Sequence, residues 1–133
     1  MNGLTAALMD IRKALGVTLE EFARSFLRGL LEARGVPKEK LKLQSKTLRI
    51  EGEEVQINIF NEDPLIIGEV TSLAESPEEA EKVVKRIRAV EKVYGRRPQY
   101  AFLIAQTIAR RAYREIMEVA EKEGIEVIYG RIA

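Results

Sequence analysis

The chain contains no cysteine and no histidine among its 133 residues. The first absence excludes disulfides and thiol nucleophiles. Together the two exclude zinc sites of the Cys/His type and Ser-His or Cys-His catalysis. A metal bound by this chain would therefore rest on oxygen ligands, the preference of Mg²⁺ and Mn²⁺. Aspartate is nearly missing as well: of 21 acids only Asp10 and Asp63 are Asp, and the rest are Glu. Asn, Gln and Met are scarce. Abundant Glu, Lys and Arg beside few heat-labile residues is a hyperthermophile trend, so a thermophile source is expected. No apolar run approaches the roughly 20 residues that span a bilayer, so no membrane association is expected. The opening MNGLTAALMD has neither the basic nor the long apolar region of a signal peptide, which points to a cytoplasmic protein.

What is present fits one globular domain over residues 1–133, with residues 1–16 as an N-terminal helical extension. The net charge of +1 hides an asymmetry. Residues 82–114 hold ten basic groups and one acid, Glu91, for a segment charge of +9; the remainder is then −8. Lys82, Lys85, Arg86, Arg96, Arg97, Arg110, Arg111 and Arg114 are the candidates for binding a polyanion, DNA first. The plainer alternative is that these groups solvate two amphipathic helices.

Periodicity and caps set the element order. A short helix is expected over Leu4–Leu15. A second begins at the capping box Thr18-Leu19-Glu20-Glu21 and ends at Gly35 and Pro37. Leu41–Ile50 suits one bent strand or a hairpin, followed by a turn at Glu51-Gly52-Glu53. Strands are expected at Val55–Phe60 and Leu65–Thr71. Ser76-Pro77-Glu78-Glu79 reads as a helix start, with Ser76 as N-cap and Pro77 at N1. That helix ends at Gly95. Tyr100–Ala105 is a continuous apolar run suited to a central strand buried on both faces. Thr107 is expected to cap a last helix closed by Gly124, and Ile125–Tyr129 is a final strand. The order α-α-β-β-β-α-β-α-β predicts an α/β fold with a central mixed sheet, antiparallel in the middle and parallel at the end.

The chemistry concentrates in VQINIFNEDPLIIGEVT, Val55 to Thr71. Strand alternation places Gln56 and Asn58 on one face of the first run, and Glu69 and Thr71 on one face of the second. This pattern, with the GVTLEEFAR helix start, the helix into VEKVYGRRP and the AEKEGIEVI ending, resembles the PD-(D/E)XK nuclease superfamily. It is most similar to small archaeal and thermophile proteins of unknown function sharing that core. The resemblance covers about Leu15 to Ile132 and implies a restriction-endonuclease-like fold.

The resemblance also implies site positions. The family's helix acid aligns with Glu20 or Glu21, its strand-two acids with Gln56 and Asn58, and its Glu-x-Lys with Glu69-Val70-Thr71. The family hydrolyses phosphodiesters with Mg²⁺ held by an Asp, a Glu and a main-chain carbonyl, while a lysine positions or activates water. Here two amides and a hydroxyl replace two acids and the lysine. An amide oxygen brings no charge to offset metal desolvation, and Thr71 supplies no cation. Glu69 is the one remaining metal position.

Glu21 serves equally as helix grammar at N3 of the capping box. Glu54 is a conceivable displaced ligand, and Lys82 or Lys85 a conceivable relocated lysine. The expectation is a catalytically degenerate nuclease-fold protein, without a cofactor, that binds nucleic acid or assembles with a partner, as a homodimer. One alternative is a DNA endonuclease with a rearranged site using Mg²⁺ or Mn²⁺. The other is a homodimeric structural module with no nucleic-acid role.

Overall fold

The structure, a computed structural model, describes residues 16–133. The helix expected at Leu4–Leu15 lies outside the described residues. Five strands form one mixed open sheet in the order β1-β2-β3-β4-β5, flanked by helices. Helix α1 covers Leu19–Ala33. Strands β1 (Gln44–Ile50), β2 (Glu53–Asn61) and β3 (Ile66–Ala74) pair antiparallel in sequence. Helix α2 (Glu78–Tyr94) leads to β4 (Tyr100–Ile108), parallel to β3. Helix α3 (Tyr113–Glu123) leads to β5 (Glu126–Ile132), parallel to β4.

The sheet separates two cores. Ala23, Leu27 and Leu31 of α1 cluster with Ile59, Ile66, Phe102 and Ile128. Val83, Ile87 and Val90 of α2, with Ile116 and Ala120 of α3, cluster with Ile57, Phe60, Ile67 and Leu103. β4 feeds both, because Phe102 and Leu103 are buried on opposite sides. Each such fully buried side chain contributes on the order of 1.5–3 kcal/mol.

Local chemistry explains most boundaries. Thr18 Oγ1 accepts from the Glu21 N–H (3.1 Å) and donates to Glu21 Oε1 (2.9 Å), which closes the expected capping box. Leu41–Ile50 holds one strand, Gln44–Ile50, preceded by a 3₁₀ turn at Lys38–Lys40, and a two-residue turn at Glu51 and Gly52, both at positive φ, returns the chain into β2. Positive φ at both positions matches the right-handed twist of the paired strands.

Three helix starts or strand ends differ from the sequence reading. The α2 N-cap is Pro77, and no side chain caps it; the Ser76 carbonyl accepts from Glu79 N–H instead. Thr107 is not a cap. It lies inside β4 opposite Arg131, and the strand continues to fully buried Ile108. Core burial overrides capping preference there, and a 3₁₀ turn at Arg110–Ala112 starts α3.

β2 carries the irregularity that shapes the site. From Gln44↔Phe60 to Lys46↔Ile57, β1 advances two residues while β2 uses three. The extra residue is a β-bulge. It breaks the period of two: Ile57 and Phe60 join the α2–α3 core, whereas Ile59 joins the α1 core. At the far end of β2, buried Asn61 fastens the turn. Its Oδ1 accepts from Lys42 N–H (2.6 Å) and its Nδ2 donates to Pro64 O (2.8 Å). Asn61→Ala leaves both main-chain groups without that partner. We expect a loss of about 2–3 kcal/mol in urea denaturation; a change below about 0.5 kcal/mol, the size of an ordinary surface substitution, would show that water replaces both bonds.

Candidate functional site

Regular pairing of β2 with β3 runs from Asn61↔Ile66 to Ile59↔Gly68 and stops there. Gly68 permits the close approach, since a Cβ at this position would stand 3.4 Å from Ile59 Cβ. Continuing the same register sets Asn58 opposite Glu69. At this rung side chains replace the backbone ladder. Asn58 N–H donates to Glu69 Oε2 (3.1 Å), and Val70 N–H donates to Asn58 Oδ1 (2.9 Å). Each strand thus satisfies the other's amide with a side chain, and the two strands are held as they part.

The bulge and the sheet then send the neighbouring groups to different sides. Gln56 and Asn58 line a polar cleft of about 270 Å³ with Glu20 and Arg24 of α1 and Ser45 of β1. Glu69 meets α2 instead. Arg86 Nε lies 3.7 Å from Glu69 Oε1 and donates to the Gln56 carbonyl at 3.3 Å. The Glu69 side chain is only 13 % exposed. Its burial raises the carboxyl pKa above the usual range, while Asn58 N–H, Arg86 and Lys82 pull it back down and Glu79 adds to the rise.

Of the positions expected from the sequence, the structure brings Gln56, Asn58 and Glu69 together. It does not bring Thr71 or Glu21. Thr71 Oγ1 donates to the Leu73 carbonyl (3.2 Å), and the Glu21 carboxylate accepts from Thr18. The helix acid that lines the cleft is Glu20. Glu54 is no displaced ligand: it pairs with Arg49 across β1 and β2 at 2.9 Å. Lys82 pairs with Glu79 (3.3 Å), and Lys85 lines a separate groove with Arg88 and Lys122 between α2 and α3.

The residues present do not suit the octahedral metal that the resemblance implies. Asn58 Oδ1 is engaged by Val70, and both Glu69 oxygens have partners. Among the described residues no three Asp or Glu side chains are grouped to hold an ion.

The basic segment does not form one face. Arg96 and Arg97 precede β4, while Arg110, Arg111 and Arg114 follow it. A nine-residue strand separates them by roughly 30 Å. Several of these cations are also committed. Arg96 donates to Glu62 O (2.9 Å), Arg97 reaches Glu91 and the Glu123 carbonyl, Lys92 pairs with Glu51, and Arg111 stands 3.9 Å from Glu75. Charge counted along the chain overstated the local field, because its acids are supplied by other segments.

Sequence reading missed Arg24, Ser45 and the pairing of Arg86 with Glu69. It also missed Lys40, Lys42 and Lys46, which line a groove of about 440 Å³ with Glu39, Glu62 and Asp63. The signal for Lys42 and Lys46 was present in the spacing of LKLQSK, but the balancing acids come from elsewhere. No protein-family model, curated protein or solved structure matches the chain.

The raised Glu69 pKa has a definite consequence for stability. The folded chain holds this proton more tightly than the unfolded chain, whose value is near 4.5. Stability from this group therefore falls as pH rises from about 4.5 through the folded value, then levels off. We expect the stability of wild type minus that of Glu69→Gln to decline across that window. A difference that rises with pH would show that Asn58 N–H and the cations outweigh burial.

Proposed function

We propose that the chain is a non-catalytic nucleic-acid-binding domain on a restriction-endonuclease-like core. One observation carries the reading. Asn58 and Glu69, which align with two positions of the nuclease motif, meet at the parting of β2 and β3, yet the Asn58 Oδ1 and both Glu69 oxygens are engaged within the fold. The element order supports it: a helix, an antiparallel three-strand meander, a covering helix and a parallel strand. Phosphodiester hydrolysis on this core would need a metal and a cation at the scissile phosphate. Glu69 is closed off by Arg86, and Thr71 carries no charge.

Binding falls to two groups of residues. In the cleft, Arg24, Gln56 and Asn58 Nδ2 make no hydrogen bond or ion pair with another side chain among the described residues. A guanidinium and two amides suit a phosphate and a base edge. At the carboxyl end of β4, Arg110 and Arg114 lack an ion pair among the described residues and supply sequence-independent attraction. A purely structural dimer would call instead for a continuous apolar surface. The exposed large hydrophobics among the described residues are Leu73, on β3, and Val93, near the end of α2.

Two measurements test the reading. Incubation with supercoiled, linear and single-stranded DNA plus Mg²⁺ or Mn²⁺ should give no cleavage; cleavage abolished by Glu69→Ala would promote the endonuclease alternative. Filter binding across a salt series should show weak affinity, falling with a log–log slope of about −3.6 if roughly four phosphates are neutralised. Arg110→Glu/Arg114→Glu should flatten that slope more than Arg96→Glu/Arg97→Glu. No detectable low-salt binding, or binding indifferent to both pairs, would end the nucleic-acid reading.

A further inference from the structure

The Arg86 side chain occupies an unusual position. It rises from the flank of α2, beside the fully buried Val83 and Val90 and the nearly buried Ile87 that seat the helix on the sheet. One nitrogen, Nε, lies within 4 Å of two different oxygens: Glu69 Oε1 of β3 at 3.7 Å and the Gln56 carbonyl of β2 at 3.3 Å. A carboxylate and a main-chain carbonyl, brought together from two strands, are the oxygen types that hard divalent cations take. Here a guanidinium takes them.

We infer that Arg86 is a tethered counter-cation: it stands where the Glu69 carboxylate and the Gln56 carbonyl would otherwise present oxygens to a divalent ion, and it makes the β2–β3 junction independent of metal. The inference rests on reading Glu69 as a remnant ligand position, and it adds the residue that closes that position.

Charge balance around the junction supports it. Glu69 faces Arg86, and Lys82 with its partner Glu79 completes the charged set on the α2 side. Two cations and two anions leave no net negative charge to offset the dehydration of a divalent ion. Guanidinium is also the suitable substitute. It is more weakly hydrated than ammonium and forms planar hydrogen bonds to oxygen. Covalent attachment to α2 gives it a local concentration that no free ion matches. The neighbouring Asn58 fits the same arrangement. An aspartate in its place would add a second anion at this rung, whereas the amide accepts from Val70 N–H without adding charge.

The experiment reads metal binding and stability on the full chain, so its outcome is separable from that of the cleavage assay. Arg86→Gln keeps a donor for the Gln56 carbonyl and removes the charge; Arg86→Lys keeps the charge. Unfolding midpoints are measured with millimolar Mn²⁺ and with NaCl at equal ionic strength, and Mn²⁺ binding is measured by titration calorimetry. The wild type and Arg86→Lys should respond to the two salts alike. Arg86→Gln should have a lower midpoint that Mn²⁺, but not NaCl, partly restores. That restoration should vanish in Glu69→Gln/Arg86→Gln. Asn58→Asp should bind Mn²⁺ poorly while Arg86 is present, and on the order of tenfold more tightly once Arg86→Gln is added. Specific stabilisation of the wild type by Mn²⁺ would overturn the proposal. So would an Arg86→Gln variant indifferent to Mn²⁺. If Arg86→Gln fails to fold, Asn58→Asp decides alone: tight Mn²⁺ binding with Arg86 in place refutes the tethered cation, and its absence upholds it.

Discussion

The rung formed by Asn58 and Glu69 is the constraint on which the rest of the site depends. Two antiparallel strands that separate must leave amide and carbonyl groups without ladder partners, and such groups are costly where water is excluded. Here the last backbone pair is Ile59 with Gly68, and the next two amides are satisfied by side chains from across the gap. Using Glu69 for that purpose draws a carboxylate out of water. Its elevated proton affinity and its need for a nearby cation both follow, and α2 provides the cation in Arg86. A polar junction with every participant engaged gives a defined geometry; one with a missing partner would be a liability.

The sheet turns this junction into a two-sided arrangement. On one side α1, the exposed Gln56 and the half-buried Asn58 border a solvent-open cleft. On the other, α2 covers Glu69 and controls its charge. Arg34 ties α1 to the distant strand β5 by paired contacts with Glu126 at 2.9 and 2.7 Å, so the cleft wall is braced across the width of the sheet. The same neutralisation recurs over the surface. Lys92 meets Glu51 of the β1–β2 turn, and Arg49 meets Glu54 within that hairpin. Such exposed pairs contribute little to stability one at a time. Their effect here is to cancel field, leaving fewer free cations than the composition suggests.

Much of the architecture was legible in the chain. The capping box at Thr18, the glycine stop at Gly95 and the apolar run from Tyr100 all rest on local rules that tertiary structure did not override. The errors have a shared cause. Thr107 has the chemistry of a cap, but burial of Ile108 kept the strand going. Glu21 and Glu20 are adjacent in sequence, and only the helix's rotation against the sheet decides which one borders the cleft. Arg86 looked like one cation among ten; its role comes from Glu69 and Gln56, seventeen and thirty residues away. Residues were read well where their partners were near in sequence and poorly where folding supplied them.

The extra residue in β2 gives the strand two phases. Toward Asn61, the inward and outward positions are set by pairing with β3; toward the hairpin, they are set by pairing with β1. The bulge is the joint at which one phase hands over to the other, and it lies beside Asn58. A substitution near this joint changes one side chain. Deleting one of the two bulged residues, Asn58 or Ile59, would leave Ile57 and Phe60 two apart, the regular spacing of one face, so both would still point into the α2–α3 core. The bulge therefore adds a residue to β2 without turning the strand over, and that spare position is what lets Asn58 serve the junction with Glu69 while Ile57 and Phe60 keep their places in the core.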